Sequence, residues 1–203
     1  MNSETNYVYN VARGSSRDMA VNLHHQRYEE VGYFNKNEGD PYESNSEYFV
    51  AQTDMLNQVV GVTRLILDTP QNLPTIKYFN IYDIELAKLK LIDPSRIAEI
   101  SAFTKMQAHD VGMGLIKSVI AYSYEHGLTH WVCCIDERVY NYMMRMFKFP
   151  FKIIGEPKVY LGSTSIPCLL DIGQCLSTLK ELRPALYNYF VSFELPLKSE
   201  VSL

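Results

Sequence analysis

The sequence contains no uninterrupted apolar run of the roughly eighteen residues that a membrane-crossing helix needs, so no integral membrane segment is read in it. Excess positive charge is also absent: 19 Lys and Arg against 23 Asp and Glu give a formal charge of −4 and a pI near 5.7. With no basic stripe to neutralise phosphates, nucleic acid is not an expected partner. Cysteine is sparse, and Cys133, Cys134, Cys168 and Cys175 lack metal-ligand spacing. Cys133 and Cys134 sit in the apolar run 131–135, where alternate side chains face opposite sides of a strand. They read as buried free thiols, and no metal centre is expected. Met1–Tyr7 carries no basic segment ahead of an apolar core, which makes a reducing cytoplasm the expected location. There is no internal repeat and no low-complexity tract.

What is present is core material. The 203 residues are 47% hydrophobic and 12% aromatic, enough to bury a core within one domain spanning 1–203. Residues 1–16 read as a loosely held segment and 190–203 as a tail. Charge is uneven along the chain. Residues 1–104 carry 9 basic and 14 acidic side chains, a balance of −5, whereas 105–158 carry 7 and 5, a balance of +2. The second stretch suits an anionic partner, although ordinary surface variation explains it as well.

Periodicity supplies the elements. Met19, Leu23, Arg27 and Val31 recur at four-residue steps, which predicts an amphipathic helix over 17–31. A polar loop over 32–47 leads to two strands, 47–52 and 58–67, joined by a turn at 54–57. Three prolines between 68 and 94 predict a long connection with one short helix over 83–90. Strand 96–104 precedes a turn at Gly112 and Gly114, then a helix from Leu115 to His126 that stops at Gly127. Strand 130–135, a helix over 137–147 capped by Asp136, strands 149–154, 157–162 and 166–170, and a last helix over 174–187 follow. The fold class is α/β, strictly α+β: a mixed, mostly antiparallel central sheet flanked by helices.

The glycine turn is the first candidate for chemistry. At a strand-to-helix junction, free N–H groups of the first helical turn face a ligand with the positive end of the macrodipole behind them, a cradle for a phosphate. A plain tight turn explains the glycines equally well. Glu99, flanked by Ala98 and Ile100 on a central strand, is an expensive charge without a partner or a task. It reads either as a general base or as a structural carboxylate paired with Arg64 or Arg27. Arg64, within Val62–Ile66, either pairs with an acid or grips a carboxylate. Asp40 and Glu43 read otherwise as solvated loop acids. His24 and His25, being adjacent, project from different helix faces and are not read as a ligand pair.

Several of these segments resemble a known family. Gly112-Met-Gly114 is similar to the cofactor loop of GNAT-superfamily acyltransferases, with His109 where Gln or Arg is usual. Arg27, then Asp40-Pro-Tyr-Glu43 and Ser46-Glu-Tyr-Phe49, then Val60-Gly-Val-Thr-Arg-Leu65, then Glu99-Ile-Ser101, and finally Phe149–Gly155 resemble acyl-homoserine lactone synthases and the related long-chain N-acyl amino acid synthases. The likeness covers roughly residues 20–170, and departs at Ala102, where Arg is usual, and at Glu43, where Asp is.

The resemblance implies a GNAT-like fold and an acyl-phosphopantetheine thioester, carried by acyl carrier protein or coenzyme A, as co-substrate. It implies catalytic roles for Glu99 and Arg64, and acceptor binding by Arg27, Asp40, Glu43 and Ser101. Donor binding falls to Phe103, Thr104, Lys105, His109, Val111, Gly112, Met113 and Gly114, with N–H groups of 103–105 near the thioester oxygen. Three readings stay open: N-acyltransfer of a fatty acyl group to an amino acid or similar amine, acetyltransfer from acetyl-coenzyme A, and a non-catalytic acyltransferase-like binding domain. In the first, Lys105, Lys117, Arg138, Arg145, Lys148 and Lys152 would face an acidic carrier protein.

Overall fold

The central strands are buried on both faces, 59–66 at every position, which places one sheet at the centre of the fold. The computed structural model describes residues 6–32, 39–54 and 58–192. Its strands are β1 (Tyr7–Val11), β2 (Ser46–Thr53), β3 (Val59–Ile66), β4 (Ile97–Lys105), β5 (His130–Asp136), β6 (Lys152–Ile153), β7 (Lys158–Tyr160) and β8 (Ser163–Asp171). They join in the order β1-β2-β3-β4-β5-β8-β6, with β7 also on β8. Among the described residues only β4 and β5 run parallel, and every other pair is antiparallel. This is the mixed, mostly antiparallel sheet that the sequence predicts.

The helices are α1 (Ser15–Glu30), α2 (Pro74–Tyr78), α3 (Asp83–Leu89), α4 (Gly112–Glu125), α5 (Glu137–Tyr142), α6 (Ile172–Leu182) and α7 (Pro184–Val191). None among the described residues is long and apolar enough to cross a membrane. One face of the sheet buries Phe49, Ala51, Leu65, Ala98 and Trp131 against Leu115 and Val119 of α4, Leu179 of α6 and Phe190 of α7. The other face carries two apolar clusters. Tyr48, Val50 and Val62 pack with Ala20 of α1, while Ile66, Ile97 and Val132 pack with Leu73, Phe79 and Leu89 around α2 and α3.

Several elements differ from expectation, each for a physical reason. The segment over 1–16 is not loose throughout: Tyr7–Val11 is an edge strand, held by pairing with β2 from Tyr7↔Thr53 to Val11↔Phe49. Helix α1 forms where predicted but turns another face inward. Ala20 and His24 are buried, whereas Met19 and Val31 of the four-residue stripe are 37% and 44% exposed. The connection 68–94 holds α2 as well as α3, because Pro74 occupies the first helical position, where its missing N–H costs nothing. The helix predicted to reach Phe147 passes into a π-helical turn over Met143–Phe147, which left-handed Lys148 ends. Strand 149–154 shrinks to Lys152–Ile153. The last helix breaks at Pro184, which cannot donate into α6, so α7 starts there and runs into the segment read as a tail. The turn predicted at 54–57 lies largely outside the described residues.

Candidate active site

A polar island interrupts the apolar covering of the α1 and α2 face. Period two puts Arg64 between Val62 and Ile66 on β3, and Glu99 and Ser101 on β4, with Arg64 opposite Ser101 and Ile66 opposite Glu99. All these side chains therefore share one face. Arg64 is 4% exposed and Glu99 1%, so each charge needs compensation. The guanidinium obtains it from Asp40, to which Nη1 donates, from Tyr48 Oη at 3.2 Å and, through Nε, from Ser101 Oγ at 3.0 Å. Asp40 in turn accepts from the Tyr42 N–H at 3.0 Å. The loop acid is thus a buried partner of a buried arginine and not a solvated charge.

Glu99 is compensated differently. Its carboxylate accepts the backbone N–H of Thr75 at 2.8 Å and the Thr75 hydroxyl at 2.9 Å. The N–H belongs to the first turn of α2, where helix donors lack an internal partner. Neither Arg64 nor Arg27 bridges to it; Arg64 acts from a distance. Burial raises the carboxyl to about 7, against the Thr75 hydrogen bonds and the Arg64 field, which favour the ionised form. Such a group gives and takes a proton near neutral pH.

The second feature of the site is the parting of the two parallel strands. β4 and β5 pair at Ile97↔His130, Ala98↔Trp131 and Glu99↔Val132, and no ladder continues beyond. Glu99 therefore stands where the sheet begins to open. Past that point Ala102 adopts φ 55, a left-handed conformation that costs a non-glycine residue roughly 1–2 kcal/mol. The β3–β4 register shifts beside it, and Thr63 Oγ1 donates to the Ser101 carbonyl at 2.9 Å. The strain lies at the position where the resembling families carry arginine.

The donor-side residues gather at the start of α4. Val111 is its N-cap and is fully buried, and helical residues start at Gly112. Neither Gly112 nor Gly114 has a positive φ; the left-handed residue of this loop is Ala108, at φ 71. Gly114 is needed for packing, since an added Cβ would lie 2.0 Å from Cζ of Tyr9, whereas one on Gly112 would meet only the Phe103 ring at 3.8 Å. Tyr7 Oη and His109 Nδ1 are 2.9 Å apart, and Lys105 Nζ donates to the His109 carbonyl at 3.0 Å. Phe103 is half exposed and Thr104 buried; Met113 packs against the core.

The remaining expectations are distributed as follows. Glu43 receives Arg17, which donates to its carbonyl at 3.1 Å and approaches Oε1 at 3.7 Å. Arg27 pairs with Glu30 on the outer side of α1 and is not brought to the Arg64–Glu99 island. Ligating atoms of His24, His25 and Asp40 lie within 4.8 Å of one another despite the sequence adjacency of the histidines. A cation there would face the Arg64 guanidinium already seated on Asp40. Sequence reasoning missed Thr75, Tyr48 and His24 as members of the island. Leu73-Pro-Thr75 carries a legible signal for Thr75, since proline opens a helix whose first N–H groups seek an acceptor; Tyr48 and His24 carry none.

The fold has counterparts in solved structures. FeeM, an N-acyl amino acid synthase from uncultured soil microbes, is similar with a TM-score of 0.68 at 19% identity, over 86% of this chain and 95% of that one. The acyl-homoserine lactone synthase LasI gives 0.63 at 17%, over 83% and 91%. BjaI, a CoA-dependent acyl-homoserine lactone synthase solved with SAM and isopentyl-CoA, gives 0.60 at 19%, over 89% and 87%. At these identities the likeness establishes a shared acyltransferase fold. No curated protein matches the sequence significantly. Residues 19–171, however, match the family model of the N-acyl amino acid synthase FeeM. That match spans well over half of the chain, which therefore belongs to the FeeM family of N-acyl amino acid synthases and is an N-acyltransferase.

Proposed function

We propose that the protein moves a fatty acyl group from a phosphopantetheine thioester to the amine of an amino acid, by direct attack without a covalent enzyme intermediate. One observation carries the reading: Glu99, wholly buried and near neutral in proton affinity, stands where β4 and β5 part and on the same face as Arg64 and Ser101. An ammonium cannot attack a thioester, so the carboxylate takes a proton from the amine, directly or through a water. The new C–N bond forms as the C–S bond breaks, and the proton held by Glu99 is available to the leaving thiolate. N–H groups of β4 beyond Glu99, freed from pairing with β5, suit the thioester oxygen.

Acceptor recognition follows from the guanidinium. Nε and Nη1 of Arg64 are engaged, and Nη2 makes no hydrogen bond among the described residues. That amino group suits an acceptor carboxylate, with Ser101 beside it and Asp40 and Glu43 on the loop that covers the site. Donor binding is assigned to the α4 N-terminus with Phe103, Thr104, Lys105, His109, Val111, Gly112, Met113 and Gly114. The donor thioester is borne by coenzyme A or by an acyl carrier protein. Of the cations facing such a carrier, Lys117 is bonded to Ser192, Lys152 to Glu85 and Arg138 to Asp136. Among the described residues only Lys152 and Arg138 of these are paired with acids, so Lys105, Lys117, Arg145 and Lys148 would bear most of the contact.

Mass spectrometry of lipid extracts from cells making the protein, compared with Glu99→Ala, tests the proposal. New N-acyl amino acids that vanish in the variant are expected. Absence of acylated amines in both, with no thermal shift on adding coenzyme A or acyl carrier protein, would sink it.

A further inference from the structure

His24 is a buried titratable group that the proposed chemistry does not use. It comes from α1, its side chain is fully buried, and its ring meets Tyr28 edge-on at 4.2 Å and His25 at 5.6 Å. From the sheet, Tyr48 Oη approaches Nδ1 to 3.4 Å, and from the covering loop Asp40 Oδ2 to 3.9 Å. Arg64 is the nearby fixed cation. Burial, and then the Arg64 field, lower the imidazole to about 3, against the opposing pull of Asp40. The ring is therefore neutral at physiological pH, with one nitrogen donating and one accepting.

The contacts of Tyr48 bear on which. Arg64 Nη1 has only protons to offer and donates to Tyr48 Oη at 3.2 Å. The Tyr48 hydroxyl is 0% exposed as part of its residue, so its own proton needs an acceptor inside the protein. Nδ1 of His24 is the atom placed to take it. In the tautomer with the imidazole proton on Nε2, a relay runs from guanidinium to phenol to imidazole.

We infer that His24 is a positioning residue: by accepting the Tyr48 proton it fixes the phenol oxygen towards Arg64, so that Nη1 stays on Asp40 and Tyr48 and Nη2 is turned to the acceptor's carboxylate. This rests on the acceptor role proposed for Arg64. Without an acceptor at Nδ1 the phenol must turn its proton elsewhere, to Asp40, and compete there with the guanidinium. The clamp then loses its single orientation.

The test compares His24→Phe with His24→Asn, whose amide oxygen occupies the place of Nδ1. With the full-length enzyme, His24→Phe should raise the acceptor KM about five- to tenfold, the size of one lost hydrogen bond, with kcat and donor KM within about twofold. His24→Asn should restore the acceptor KM to within about twofold. Tyr48→Phe should act like His24→Phe, and the double variant should add nothing further. Equal rises in the Phe and Asn variants, or additive effects in the double variant, would overturn the inference. Long-range proton–nitrogen correlation spectra of the imidazole decide independently of activity. A neutral ring protonated on Nε2 from about pH 5 to about pH 8, with Nδ1 shifting in Tyr48→Phe, supports the relay even if no amino acid is acylated; a proton on Nδ1 refutes it.

Discussion

Replacing Glu99 by Gln separates two consequences of burying a carboxyl. In the folded protein the group loses its proton near about 7, whereas the ordinary value is 4.5. At about 1.4 kcal/mol for each tenfold difference in proton affinity, the two states differ by about 3 kcal/mol. Because the folded-state value is the higher one, the stability this group contributes is complete below about pH 4.5 and is lost as pH rises through about 7. Gln cannot ionise, yet its oxygen accepts the Thr75 N–H and its amide donates to the Thr75 hydroxyl, so the local bonds survive. Urea unfolding from pH 5 to pH 9 should therefore show the variant gaining on the wild type as pH rises, up to about 3 kcal/mol above neutrality. Activity should move in the opposite sense. Wild-type kcat/KM should climb with pH to a plateau entered near neutrality, and Glu99→Gln should lose about a hundredfold or more on that plateau, the gap closing as pH falls. A stability difference that is flat across the range refutes the buried protonatable carboxyl, and a variant that keeps wild-type turnover refutes the base.

Three further outcomes follow from the packing. Arg64→Met should cost about 3–5 kcal/mol in denaturant unfolding, since it leaves Asp40 buried without its cation; a loss below about 1 kcal/mol would show that the pair is solvated. Gly114→Ala should destabilise by about 1–3 kcal/mol because the methyl strikes the Tyr9 ring, whereas Gly112→Ala should be tolerated in stability. Equal effects at the two positions would remove the packing reason for the second glycine. Ala102→Val should cost about 2 kcal/mol or more, since a branched side chain resists the left-handed φ of 55; a thermal midpoint unchanged from the wild type would count against the strained turn.

Much of the fold was legible because local pattern and tertiary environment agree. Leu115, Val119 and Ile120 recur with helical spacing and are buried in α4, and Gly127 takes the left-handed conformation that ends it. Asp136 caps α5 as expected, accepting the Arg138 N–H. Where pattern is weak, tertiary packing chose. The apolar stripe of α1 lost to a face of Ala20 and His24, because a small residue lets the helix approach the sheet and an imidazole meets the polar island. Residues 1–16 read as a loosely held segment, and Tyr7–Val11 within it becomes a strand because β2 offers it a hydrogen-bonding edge.

By itself the sequence determined the order of most strands and helices, though not β1, α2 or the break between α6 and α7, together with the glycine-marked start of α4 and Glu99 and Arg64 as charges too costly to bury idle. Those conclusions need only local spacing and the cost of desolvation. Which groups compensate those charges was decided by the tertiary structure alone. Glu99 is matched by Thr75, and Arg64 by Asp40, Tyr48 and Ser101, partners drawn from a loop, two other strands and a short helix. Cross-strand register and the parting of β4 from β5 bring them together, and neither is written in the local spacing of residues.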